Sequence, residues 1–329
     1  HVADQIESID AETRESLIEY EHWLEAAEAG NEQVAEAIQK TDSWCDEACV
    51  KWYGEDRQTP PKFGQPIVAF REAVQSGGEV VQRAIKNLLR LATQPDELTP
   101  AIARASALSE LARAGITSGT PTAKRIVDDV NEDPIVRTAA ISLFMGSPPS
   151  DVRKALLPHI DDPSRLVRIE ALRVLVTSGA YQALRGSEQT RVDLGLREVH
   201  EALMVTADRA GAHMAWAMLC EGQTRFSEAI EAYETAIRIE PEMTGPRTNL
   251  ASLLERLASQ SGGAQAAQWM QRVALLRKAE LPLLGRDAAL APDNAGVQYR
   301  YGLALYLAGQ MEQAMDRLER AAELEPHVS

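Results

Sequence analysis

An arginine returns at near-regular intervals through the middle of the chain, each time behind a polar, proline-bearing turn and within an Ala-rich apolar run. Arg104 stands in Pro100–Leu108 (PAIARASAL), Arg137 in Asp133–Ile141 (DPIVRTAAI) and Arg168 in Asp162–Leu172 (DPSRLVRIEAL). The three arginines are 33 and 31 positions apart, which leaves room for two short helices and their turns, so stacked helix pairs are predicted. Composition agrees: aromatics are only 5%, whereas a large sheet would want more β-branched and aromatic residues. Proline and aspartate suit the start of each second helix, where a missing N–H costs nothing and a carboxylate meets the positive end of the dipole. Each arginine can then reach an aspartate of a neighbouring turn, forming a structural ladder rather than a binding site.

The C-terminal part follows another rule. Ala229, Tyr233 and Ala236 lie 12, 8 and 5 positions before Pro241, and Ala314, Leu318 and Ala321 lie at the same offsets before Pro326. Gly302 and Gly309 supply small residues to the first helix of the last copy, beside Tyr301 and Leu305. Small residues let two helices approach, and the proline ends one hairpin before the next. These offsets resemble the second-helix signature of the tetratricopeptide repeat, and the arginine phrases resemble short HEAT-like repeats. A middle copy ends at Pro292, 34 residues before Pro326 but 51 after Pro241, so about 17 extra residues are expected between Ser259 and Leu281 as a lengthened helix pair. Asp287 stands in that copy where a small residue is usual.

The implied fold is all-α: an α-solenoid of HEAT-like repeats followed by tetratricopeptide (TPR) helical hairpins. The expected division is an acidic helical hairpin over 1–57, a linker over 58–66 that carries Pro60, Pro61, Gly64 and Pro66, a HEAT-like domain over 67–188 and a TPR domain over 189–329. In the hairpin, Asp10 and Asn31 are the expected N-caps and Gly30 the stop between them. Residues 1–56 hold 16 Asp or Glu against Arg14, Lys40 and Lys51, which is most of the formal charge of −15. Such an arm repels phosphate backbones, so nucleic acid is not an expected partner, while a basic protein surface is compatible. A solvated Glu-rich helix face accounts for the same charge. No stretch approaches the roughly 18 consecutive apolar residues of a spanning helix, and no membrane insertion is expected.

Three phrases together resemble the C-terminal half of multihaem cytochrome c proteins of the c554 group: KTDSW from Lys40 to Trp44 followed by Lys51–Gly54, TPAIARASAL from Thr99 to Leu108, and NLASLLER from Asn249 to Arg256. In that family a Cys-x-x-Cys-His precedes the first phrase, where the thiols anchor the porphyrin and the histidine ligates iron. Here Gln33–Ile38 stands in its place, so no covalent haem is carried over and no cofactor is expected. The resemblance implies a scaffold, a haem domain or redox partner as the alternative partner, and an extracytoplasmic location, with the cytoplasm as the alternative.

Catalytic and metal signatures are missing from the sequence. Cys45 and Cys49 share a helix face in poor geometry for a disulfide, and Cys220 falls at a TPR position that packs in the core. The six histidines are scattered without HExxH or HxH, and neither a nucleophile elbow nor a phosphate-binding glycine loop occurs, so no enzyme is expected. The remaining candidate is the concave face, where the first helix of each TPR hairpin meets a peptide or helix of another protein. Motif register puts Met214, Met218, Thr248, Asn249, Ser252, Tyr299, Arg300, Leu303 and Tyr306 there. Of the Lys, Asn and Arg that line a TPR carboxylate clamp, only Asn249 and Arg300 have counterparts; Met214, Met218 and Gly296 replace the others. The alternative occupant of this face is a terminal helix of the chain itself.

Overall fold

The computed structural model describes residues 65–324 except 77, 96 and 97; the acidic hairpin, the linker up to residue 64, Cys45 and Cys49 lie outside the described residues. Among those described, every regular element is helical. The helices are α1 (Gln65–Ser76), α2 (Gly78–Ala92), α3 (Ala101–Arg113), α4 (Thr120–Asp128), α5 (Pro134–Ser142), α6 (Pro149–Leu156) and α7 (Arg165–Thr177). They continue as α8 (Ser187–Met204), α9 (Ala210–Gly222), α10 (Phe226–Ile239), α11 (Pro246–Gln260), α12 (Gly263–Leu290), α13 (Ala295–Leu307) and α14 (Met311–Leu324).

Helices α3, α5 and α7, the three that carry the recurrent arginine, stack directly on one another, with the short α4 and α6 packed against α5 and α7. Small and branched side chains fill the stack: Ala105, Ala107 and Leu108 from α3, Val136 and Ala140 from α5, and Ala171, Leu172 and Leu175 from α7 are all buried. Local sequence starts each helix as expected. Pro100 is the N-cap of α3, Asp133 caps α5 by accepting a hydrogen bond from the Ile135 N–H at 2.8 Å, and Pro134 opens that helix. Before α7 the Asp162 carboxylate accepts from the Ser164 N–H at 2.9 Å.

The arginines form the ladder, with one change of partner type. Arg104 pairs with Glu132 at 2.6 and 2.9 Å, Arg137 with Asp162 at 3.1 and 2.6 Å, and Arg168 with Glu198 at 3.0 and 2.6 Å. Only the middle rung uses the expected aspartate; the other two take a glutamate. Arg137 also donates to the Val127 carbonyl, and Arg168 to those of Asp162 and Pro163, so the guanidinium groups close backbone orphans at helix ends. His159 adds a side rung, with Nε2 3.0 Å from Asp128 and Nδ1 3.9 Å from Asp162.

Beyond α8 the chain forms three hairpins, α9/α10, α11/α12 and α13/α14, and each second helix packs on the first helix of the next. The joint between the two halves is a close approach: a Cβ at Gly222 in α9 would lie 2.6 Å from the Val176 carbonyl oxygen of α7. In the last hairpin a Cβ at Gly302 would lie 2.8 Å from Leu318, which is why that position is small. The extra residues of the middle copy sit almost wholly in its second helix: α12 has 28 residues against 14 in α10 and 14 in α14, while α11 has 15 against 13 in α9. One helix takes nearly all of the extra length, where the sequence predicts a lengthened pair.

Arg137 and Asp162 are 3% and 4% exposed at their side chains, so removing one strands the other in a dry site. Arg137→Ala should cost about 3–5 kcal/mol in a denaturant titration, whereas Arg191→Ala, which breaks the exposed pair with Asp161, should cost under about 1 kcal/mol. Burial alone would raise the Asp162 carboxyl, but the hydrogen bonds from Arg137 and the Ser164 N–H, with the Arg137 and His159 charges, hold it below the ordinary carboxylate range. A pKa lowered by folding contributes stability that is present above the unfolded value and is lost as pH falls through the folded one. Asp162→Asn should therefore lower stability at neutral pH and flatten its decline below about pH 4, read as melting temperature against pH.

Candidate functional site

Two cavities open beside α9, α11 and α13, the first helices of the C-terminal hairpins. The first, about 370 Å³, is lined by Thr177, Met218, Glu221, Gly222, Tyr233, Asn249, Ser252 and Arg256. It has a built polar wall. The Tyr233 hydroxyl donates to Glu221 Oε1 at 2.5 Å, and Arg256 closes on the other oxygen of that carboxylate. Burial and the neighbouring Glu221 push the Tyr233 phenol far up, which keeps it a protonated donor.

The second cavity, about 330 Å³, lies among α11, α12 and α13. Ala251, Leu284, Leu303, Ala304 and Leu307 give it apolar walls, while Thr248, Asn249, Ser252, Arg277 and Arg300 bring polar groups to it. Arg277 pairs with Glu255 at 2.5 Å, and Arg300 is exposed. Glu280 of α12 also lines the cavity and is only 2% exposed. Its Oε1 accepts from the Gly245 N–H at 2.6 Å and from the Thr248 hydroxyl at 3.3 Å, so the carboxylate sits at the N-terminus of α11, where the helix dipole favours it. Asp287, one helical step-pair further on, accepts from the Thr244 hydroxyl at 2.8 Å. Two acids of α12 thus hold the turn that starts α11.

Of the residues placed on this face by motif register, Met218, Asn249 and Ser252 line the first cavity, and Thr248, Asn249, Ser252, Arg300 and Leu303 the second. Asn249 and Ser252 belong to both and join them. Met214 is half-buried against the core of the α9–α12 hairpins, beneath Gly245. Tyr299 and Tyr306 are 54% and 52% exposed on α13, outside both cavities. Sequence reasoning did not single out Glu280, although a signal exists. It lies 12 residues before Pro292, at the offset where the other two copies have Ala229 and Ala314.

Cys220 is fully buried among Ala217, Ala229, Tyr233 and Leu250. Among the described residues no group of three or more histidine, cysteine or acidic side chains could hold a metal ion, and no helix is long and apolar enough to cross a membrane.

The family model of the tetratricopeptide repeat matches residues 210–243, which spans α9 and α10 and ends just past Pro241. No curated protein matches the chain. Tetratricopeptide repeats generally mediate protein–protein interaction.

Burial pushes the Cys220 thiol up to about 11, so almost no thiolate exists near neutrality. At pH 8 iodoacetamide should leave Cys220 unmodified in the folded chain and alkylate it in denaturant, as read by peptide mass spectrometry.

Proposed function

We propose that this chain is a protein-interaction scaffold that takes a segment of another protein along the face formed by α9, α11 and α13. The observation that carries the reading is the pair of adjoining cavities bridged by Asn249 and Ser252, with Met218 at one end and Arg300 and Leu303 at the other. Apolar walls with a few convergent polar groups are what a peptide-binding groove needs. Exposed Met218, Leu303, Tyr299 and Tyr306 add an adaptable apolar rim. The partner is a protein or peptide and not nucleic acid. In this reading the HEAT-like stack, 67–188, is the rigid base, and the hairpins of 189–329 are the reader.

A second reading keeps the same surface and changes the partner: a haem domain or other redox protein docked by the accessory half of a multihaem cytochrome. The phrases Thr99–Leu108 and Asn249–Arg256 support it. A strong visible haem band in the native protein purified from its source, with a mass well above 36.0 kDa, would favour it.

Crosslinking in the native source identifies the partner, and hydrogen exchange of the complex then locates it. Protection should appear on α9, α11 and α13 and not on α10 or α14. Arg300→Glu should weaken partner binding about tenfold, about 1.4 kcal/mol, with an unchanged melting temperature; the double change Tyr299→Ala with Tyr306→Ala should weaken it by less. Strong protection of this face already in the isolated chain would assign the groove to the chain's own terminal segment instead.

A further inference from the structure

Glu280 carries a lone pair that the fold does not use. Its Oε1 is engaged by Gly245 and Thr248, but its buried Oε2 accepts no hydrogen bond. The nearest cation is Arg247, with Nη1 3.7 Å away, beyond hydrogen-bonding distance. That guanidinium is itself committed to the carbonyls of Pro241 at 2.6 Å and Met243 at 3.4 Å. The charge of Glu280 is therefore balanced while its directional bond is not. A buried acceptor left in this state is costly and is resolved when a donor arrives.

Capping α11 explains Oε1 and the choice of an acid; it does not explain a cavity of about 330 Å³ beside that acid. At the same offset the neighbouring hairpins have Ala229 and Ala314, both buried where two helices cross. Here a glutamate stands in place of the methyl group and lines the cavity.

We infer that this cavity is a side-chain pocket which takes one apolar-bodied side chain ending in a neutral hydrogen-bond donor, a tyrosine or tryptophan of the partner segment, with Glu280 Oε2 as its acceptor. The volume suffices for an aromatic ring, since a cavity of roughly 150 Å³ holds benzene. Leu284, Leu303, Ala304 and Leu307 supply the walls for the ring. Charge decides against a lysine or arginine. Glu280 is offset by Arg247, and Arg277 by Glu255, so Arg300 leaves the rim with one positive charge in excess. The terminal torsion of a glutamate is soft, so the carboxylate can turn to offer Oε2 to a donor in the cavity. This inference rests on the groove reading above and sharpens it.

The test uses fragments rather than the unidentified partner. p-Cresol, toluene and benzylammonium are titrated into the full chain, with binding followed by chemical-shift changes of residues in α11–α13. p-Cresol should bind about tenfold tighter than toluene, and benzylammonium more weakly than p-cresol. Glu280→Gln keeps the size of the side chain and the acceptor for Gly245 but replaces Oε2 with a donor; it should erase the preference for p-cresol and leave toluene unchanged. If that variant fails to fold, the comparison of p-cresol with toluene in the native chain still decides. Equal affinities, a preference surviving in Glu280→Gln, or tighter binding of benzylammonium would overturn the inference. Fragments that shift no residue of α11–α13 would overturn the pocket while leaving the groove, which hydrogen exchange with the whole partner tests separately.

Discussion

The middle of this protein depends on arginines set between stacked helices, two of them buried and the third partly exposed, each answered by an acid from further along the stack. A guanidinium taken out of water is expensive, and its neutralisation must come from a group that only the correct neighbour supplies. Arg137 illustrates the economy of the arrangement: one planar fork binds Asp162 and the Val127 carbonyl together, fixing α5 to the end of α4 and to the turn before α7. Apolar packing between Ala-rich helices is permissive about register, since many small side chains pack acceptably in several ways. The ion pairs are not. They specify which turn sits over which, and they do so three times in sequence.

The C-terminal hairpins solve the same problem by shape. Small residues at the helix crossings, Gly222 against Val176 and Gly302 against Leu318, set the approach of the backbones without any charge. Polar side chains of these hairpins are paired as well, and some of those pairs line the cavities. Glu221 and Arg256 belong to different hairpins and still meet there, joined to Tyr233, so one polar cluster ties α9, α10 and α11 together while lining a cavity. A surface built from such linked groups is rigid before a partner arrives, which reduces the ordering cost of binding.

Much of this was legible in the sequence because repeats expose their rules by repetition. Spacing of the arginines, the Pro and Asp at helix starts, and the Ala–Tyr–Ala–Pro offsets each encode a local packing requirement, and the structure has helices where they predict them. Partner identity in the ladder was less legible. Glutamate takes two of the three rungs, and spacing along the chain does not reveal which acid stands opposite each arginine. The insertion could be counted but not apportioned, since offsets between prolines do not tell which of the two helices holds the extra residues. On the groove, motif register could not separate Asn249 and Ser252, which line cavities, from Tyr299 and Tyr306, which stand clear of them.

Glu280 shows why a departure from a repeat's own rule carries more information than agreement with it. Packing alone would place a small residue there, as it does at Ala229 and Ala314, and the same holds for Asp287, whose carboxylate accepts from Thr244. An acid at that position holds the turn before α11 by accepting from Gly245 and Thr248, so the start of a groove helix and the wall of a groove cavity depend on the same carboxylate. That coupling has a physical consequence. A donor that draws on Glu280 also perturbs the hydrogen bonds that fix the N-terminus of α11, and α11 carries Asn249 and Ser252 into both cavities. The carboxylate that fixes the start of α11 thus also helps to set the residues that the two cavities share.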